Sequence, residues 1–147
     1  MPLQPAFLGY LPSTDLNVTG AGATYTLGGV TALTEVFDVG GNFTTAGVFT
    51  APVTGKYFLT LSIYVTGCTI ATSFSSRIIT SNGTYLHQTT RAASALDYQS
   101  LRSISADMDV GDTASCTMIA SGEAGDTDDI LGSATGFRTS FGGFLQS

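Results

Sequence analysis

A single histidine, His87, is available to this chain as a proton-transfer group, and general acid–base chemistry needs a positioned one. It lies just past an Asn82-Gly83 turn signal, where a solvated strand residue outweighs a catalytic base. Cys68 and Cys116 could each pair with it as a nucleophile, yet neither has the flanking residues of a thiol protease. The same two thiols, 48 positions apart, permit one disulfide; that spacing fixes no geometry, so a bridge and two buried thiols both stay open. No CxxC and no Cys/His cluster occurs, which sets a structural zinc site aside, and no G-x-S-x-G elbow supports a serine hydrolase.

Carboxylates are the remaining chemistry. Asp107 and Asp109 sit at one turn, and Asp126, Asp128 and Asp129 crowd one loop, whereas glycoside-cleaving acids face each other across a bond at roughly 5 to 9.5 Å. Glu123, Asp126, Asp128 and Asp129 are hard oxygen ligands of the type calcium takes, but residues 126–132 break EF-hand spacing. The loop reads as acidic for solubility, and no cofactor is expected. Gly20-Ala21-Gly22 begins like a dinucleotide fingerprint, but Tyr25 stands where the third glycine belongs. Three Asn-x-Thr sequons, at Asn17, Asn42 and Asn82, read as coincidence in a threonine-rich chain.

The elements that would hold these groups follow from composition. The 147 residues are the size of one domain, spanning 1–147, and only 11% are charged against 43% hydrophobic. Eleven acids outweigh five scattered bases, Lys56, Arg77, Arg91, Arg102 and Arg138, for a net charge of -6. Nucleic-acid binding needs clustered cations, and an anionic membrane is disfavoured by the same sign. No apolar run approaches the ~20 residues of a spanning helix. Met1-Pro2-Leu3-Gln4-Pro5 has neither a basic residue nor a long apolar stretch, so no secretory signal is expected in it.

Eighteen glycines, abundant Thr and Ser and no Trp make a poor helix composition, and period-two alternation recurs along the chain. In the segment 56–65, Tyr57, Leu59, Leu61, Ile63 and Val65 fall on one face; Phe58, Thr60, Ser62 and Tyr64 fall on the other. Arg77 to His87 reads as a hairpin turning at Asn82-Gly83, and Val110-Gly111-Asp112 as a second turn. Phe137, Phe141 and Leu145 share parity in a terminal strand that offers Phe144 on its second face. Many short strands at such spacing predict an all-β sandwich or barrel.

Three segments carry a family likeness. Gly47 to Leu59 resembles the G-x-F-x-x-P-x-x-G-x-Y-x-F signature of the complement-one-q globular head, in the tumour necrosis factor-like superfamily. Val110-Gly111-Asp112 is similar to its late G-D turn, Thr139 to Leu145 to its closing S-x-F-S-G-F-L strand, and Ala6-Phe7 to its opening A-F. Leu59 departs from the usual Phe, and Thr139 and Gly142 from Ser, which points to a distant viral, phage or bacterial member.

The resemblance implies a ten-stranded, two-sheet jelly roll that assembles as a homotrimer, with one sheet of each subunit packed around the threefold axis. Outward aromatic side chains give an independent reason to expect two identical partners, because a lone domain seldom leaves a large apolar patch in water. Phe7, Phe58, Tyr64 and Phe144 are the expected contact residues. Ligand contact is expected on loops 15–24, 67–75, 90–99 and 121–133, with Tyr10, Tyr25 and Tyr98 stacking on sugar rings and Asp126, Asp128 and Asp129 facing the ligand. The implied role is a non-enzymatic head of a fibre, spike or filament on a virion or other extracellular surface, binding a cell-surface receptor or glycan. A trimerisation cap without a ligand and a polysaccharide-degrading spike module are the rival roles.

Overall fold

The computed structural model describes residues 3–146; Met1, Pro2 and Ser147, with the very start of the segment read for a signal, lie outside it. Twelve strands and no helix occur among the described residues. They are β1 Ala6–Tyr10, β2 Asp15–Thr19, β3 Thr24–Thr26, β4 Thr34–Val39, β5 Phe49–Thr50, β6 Gly55–Thr66, β7 Ala71–Thr80, β8 Gly83–Ser94, β9 Tyr98–Met108, β10 Thr113–Ser121, β11 Asp128–Ile130 and β12 Ser140–Leu145.

Two antiparallel sheets form. The larger has seven strands in the order β2-β11-β6-β12-β1-β4, with β9 paired along the other edge of β6. The smaller has five in the order β3-β10-β7-β8, with β5 also on β10. This is the expected two-sheet jelly roll. The count is twelve rather than ten because one edge of β6 is shared end to end by β11 and β12, and one edge of β10 by β3 and β5.

Alternation in β6 decides the core. Tyr57, Leu59, Leu61, Ile63 and Val65 are all buried, facing Phe74 and Ile78 of β7 and Cys116 and Met118 of β10. Phe7, Phe43, Phe49 and Phe141 fill one end; Phe7 stacks on Phe49 at 4.4 Å and meets Phe141 edge-on at 5.1 Å. The residues behind the family likeness earn their positions physically. Gly47 has φ 82 and lies so close to β3's continuation that a Cβ there would sit 2.2 Å from the Leu27 carbonyl oxygen. Phe49 and Tyr57 are core rings 5.4 Å apart, and the Tyr57 hydroxyl donates to the Val53 carbonyl at 2.7 Å, closing the turn into β6.

One turn reading and one strand reading change. The β7–β8 hairpin pairs Thr80 with Gly83, so its loop is Ser81-Asn82 and Gly83 already belongs to β8. Asn82 is instead held from the side: its Nδ2 donates to the Asp107 carbonyl at 3.1 Å and to Asp112 Oδ2 at 2.7 Å, which ties the hairpin tip to the 109–112 turn. Phe137 is outside β12, with φ 45, so it does not share the inward face of Phe141. Among the described residues no helix is long and apolar enough to cross a membrane.

Candidate interaction surface

The outward face of the larger sheet is built by strand register. One row runs Ser105, Phe58, Phe144, Ala6, Val39; the next Ser103, Thr60, Gly142, Leu8, Phe37; the third Leu101, Ser62, Ser140, Tyr10, Thr34. None of these fifteen residues is charged. Phe58 and Phe144 pack ring to ring at 5.4 Å, and Phe144 and Phe37 remain 43% and 45% exposed. A bulge between Leu8 and Gly9 leaves Val36 without a partner in β1, so Val36 and Phe37 are both exposed on the same margin.

Gly142 shapes the centre. Its missing side chain opens a groove of about 240 Å³ bordered by Leu8, Phe37, Thr60 and Phe144. A Cβ there would meet Leu8 Cδ1 and the Phe7 carbonyl oxygen, both at 2.9 Å. A second apolar groove of about 560 Å³, between Leu3, Pro5, Val39, Pro52, Val53 and Leu145, continues the surface at one end of the sheet. Two of the hydroxyls in between are tied down: Thr60 Oγ1 donates to the Gly142 carbonyl at 3.4 Å and Ser62 Oγ to the Arg138 carbonyl at 2.9 Å. Charges only frame the face. Lys56 pairs in register with Asp107 at one end; at the other, Arg138 lies 5.7 Å over the Tyr64 ring, whose hydroxyl donates to Asp97 at 3.5 Å. An apolar centre with a charged rim is the anatomy of a protein–protein contact.

The acidic segment at the opposite end of the sandwich is a set of backbone anchors. Glu123 accepts the Thr69 and Ile70 amides at 2.7 and 2.9 Å, Asp126 the Ala21 amide at 2.9 Å, and Asp129 the Asn17 amide at 2.8 Å. Burial opposes the Glu123 charge, but these donors outweigh it and hold its carboxyl below the ordinary value. Asp128 is different: it is fully buried in β11, its Oδ2 accepts the Cys68 thiol at 3.7 Å, and its Oδ1 has no partner. Burial first, then the Glu123 charge, pushes it up to about 6. No group of three or more His, Cys, Asp or Glu that could hold a metal occurs among the described residues. Both cysteines are free and buried, and burial pushes Cys68 up to about 11 and Cys116 upward as well.

The structure therefore sorts the candidates. Phe58, Tyr64 and Phe144 share the outward face, as alternation requires. Phe7 does not: it is 1% exposed and stacked in the core, because in β1 the outward positions are Ala6, Leu8 and Tyr10. Tyr25 is a core residue of β3 whose hydroxyl donates to buried Asp15 at 2.6 Å, so it cannot stack on a ligand; burial, reinforced by Asp15, holds the phenol protonated. Tyr98 packs on Phe74 at 4.2 Å and shares a 2.9 Å hydrogen bond with Thr89 between the sheets. Asp128 faces the interior, and Asp126 and Asp129 are engaged as described. Tyr10 and Tyr98 are both half-buried, but Tyr10 lies outside the core cluster, stacked on Phe137 at 4.2 Å. His87 is a strand residue within 3.3 Å of Thr89 Oγ1. Leu8, Phe37 and Gly142 escaped sequence reading; the parity of Phe7, once placed inward, would have found Leu8.

No protein-family model and no curated protein matches the sequence. Solved structures do. The globular domain of the zebrafish complement 1qA protein aligns over 99% of this chain and 98% of its own, at 14% identity and TM-score 0.63. The fold is that of the complement head. Murine APRIL aligns over 97% of this chain and 99% of its own, at 9% identity and TM-score 0.62. The Eiger TNF of S. frugiperda covers 98% and 93%, at 10% identity and TM-score 0.60. At such identities the shared property is the jelly roll itself, so function has to be argued from the surface.

Proposed function

We propose that the protein is a non-enzymatic, homotrimeric recognition head: the receptor-binding or host-attachment module of a phage or viral fibre or a bacterial surface filament, exposed on a virion or cell exterior. The observation that carries this reading is the uncharged centre of the larger sheet's outward face, with Phe37, Phe58, Phe144 and Leu8 around the Gly142 groove. Such a face is costly in water and is relieved when a second copy covers it. A ring of three copies, each offering this face to a different surface of the next, closes without leaving it wet. The fold shared with the zebrafish complement 1qA domain, murine APRIL and Eiger TNF supports the threefold assembly that the family resemblance implies.

The trimer would give multivalent attachment, with receptor or glycan bound at surfaces the ring leaves free. Sedimentation at micromolar concentration tests the assembly: three chains of 15.1 kDa make a species of about 45 kDa. A stable species at the mass of one chain removes the reading. Substitutions confined to exposed loop residues, checked to retain the trimer mass, test attachment to host cells. Unchanged attachment across all of them would exclude the loops as the contact, leaving an exposed sheet face or a trimerisation cap without a ligand.

A further inference from the structure

The outward face of the smaller sheet has the opposite chemistry. Although the chain has 11 acids, none lies in β3, β5, β7, β8 or β10. At the middle of this face, register places Thr26, Thr117, Arg77 and Leu86 side by side. The neighbouring rows supply Ser115, Ile79 and Thr84 on one side and Thr24, Ile119, Ser75 and Gln88 on the other. Arg77 is half-buried, and its Nε is fully covered and has no hydrogen-bond partner; Thr117 Oγ1, directly across the strand pair, is equally covered and unpartnered. The other arginine of this sheet, Arg91, is spent: it donates to the Ala71, Ser94 and Leu96 carbonyls and lies 4.8 Å over the Phe74 ring.

We infer that this face binds an acidic polysaccharide, with the Arg77 guanidinium receiving its carboxylate or sulfate and the surrounding Ser, Thr and Gln side chains its hydroxyls. Charge is the deciding argument. In a protein of net charge -6 an anionic ligand is repelled over most of the surface, and here an uncompensated cation stands in a sheet without a single carboxylate. Guanidinium recognises carboxylate and sulfate through paired N–H donors, here the two Nη groups because Nε is covered, and the isoleucines and Leu86 offer apolar area to the C–H faces of sugar rings. The inference names the ligand class within the recognition-head reading and moves the contact from the loops to a sheet face. It draws on the trimer only for the gain from three copies.

The test immobilises polygalacturonate (carboxylate), dextran sulfate (sulfate) and neutral dextran, and measures binding of the full chain at low and physiological salt. The expected result is binding to one or both acidic polymers, weakened by salt, and none to dextran. Arg77→Met should lower it tenfold or more. Gln88→Glu, an exposed substitution that places a carboxylate beside Arg77 without touching the core, should lower it comparably. Retention on one acidic polymer alone says whether the anionic group is carboxylate or sulfate. Binding to dextran as strong as to the acidic polymers, binding unchanged in both variants, or no binding at all overturns the inference. Sedimentation of the same samples keeps the two readings apart: a trimer that ignores acidic polymers defeats this face while leaving the assembly intact.

Discussion

Replacing Phe144 by Asp puts the proposed subunit contact to a quantitative test. The ring is 43% exposed, so of the roughly 200 Å² a Phe presents, about 85 Å² would be covered in an assembly, worth about 2 kcal/mol per copy and about 6 kcal/mol over three. Asp removes that gain and adds the desolvation of a carboxylate at the centre of the contact, several kcal/mol per copy. Together these exceed what a micromolar assembly can absorb, since each 1.4 kcal/mol is tenfold in affinity. Because Phe144 projects outward and its strand partners are Phe58 and Ala6, the sandwich itself should survive. The expected outcome is a folded chain by circular dichroism that sediments at the mass of one subunit. Leu86→Asp is the matched control, 49% exposed on the outward face of the other sheet, and it should keep the assembly. If Phe144→Asp sediments like the parent, the larger sheet is not the contact; if both variants dissociate alike, the smaller sheet is not a free face.

Other expectations are local. Asp128 carries a proton up to about pH 6 when folded but loses it near pH 4 when unfolded, so the native state binds the extra proton between these values and its stability falls as pH rises through that window. Asp128→Asn should therefore gain about 1–2 kcal/mol over the parent at pH 8, discounted for water around the exposed neighbouring loop, and match it at pH 4; urea midpoints at the two pH values decide. Glu123 has the opposite sign: its lowered value contributes stability above the unfolded value near 4.5 that is lost as pH falls through the folded one, and Glu123→Gln should flatten the acid limb of the same curve. Gly47→Ala forces a Cβ to 2.2 Å from the Leu27 carbonyl oxygen at φ 82 and should cost more than about 2 kcal/mol, read as a drop in denaturation midpoint. Both thiols are buried, so alkylation by iodoacetamide should stay negligible in the native protein and proceed at both once urea unfolds it.

Alternation along β6 was legible because period two survives any tertiary context: the inward set from Tyr57 to Val65 is a property of the strand alone, and the all-β sandwich follows from it. The glycines, Pro and aromatics of the 47–59 segment were legible for a similar local reason, since a positive φ and a closed turn restrict residue type wherever they occur. The direction each remaining strand faces was not. Phe7 and Tyr25 read as available side chains, yet pairing put both inward, and one residue of register would have reversed them. Asp126, Asp128 and Asp129 look equivalent in the sequence. Only the packing of the 122–130 segment against β2 and the 67–71 loop made two of them amide acceptors and buried the third without a full set of partners. Nor could any single strand reveal that β3, β5, β7, β8 and β10 gather into a sheet free of acids. That is a consequence of non-local strand order, which hydrogen bonding across many residues of separation decides.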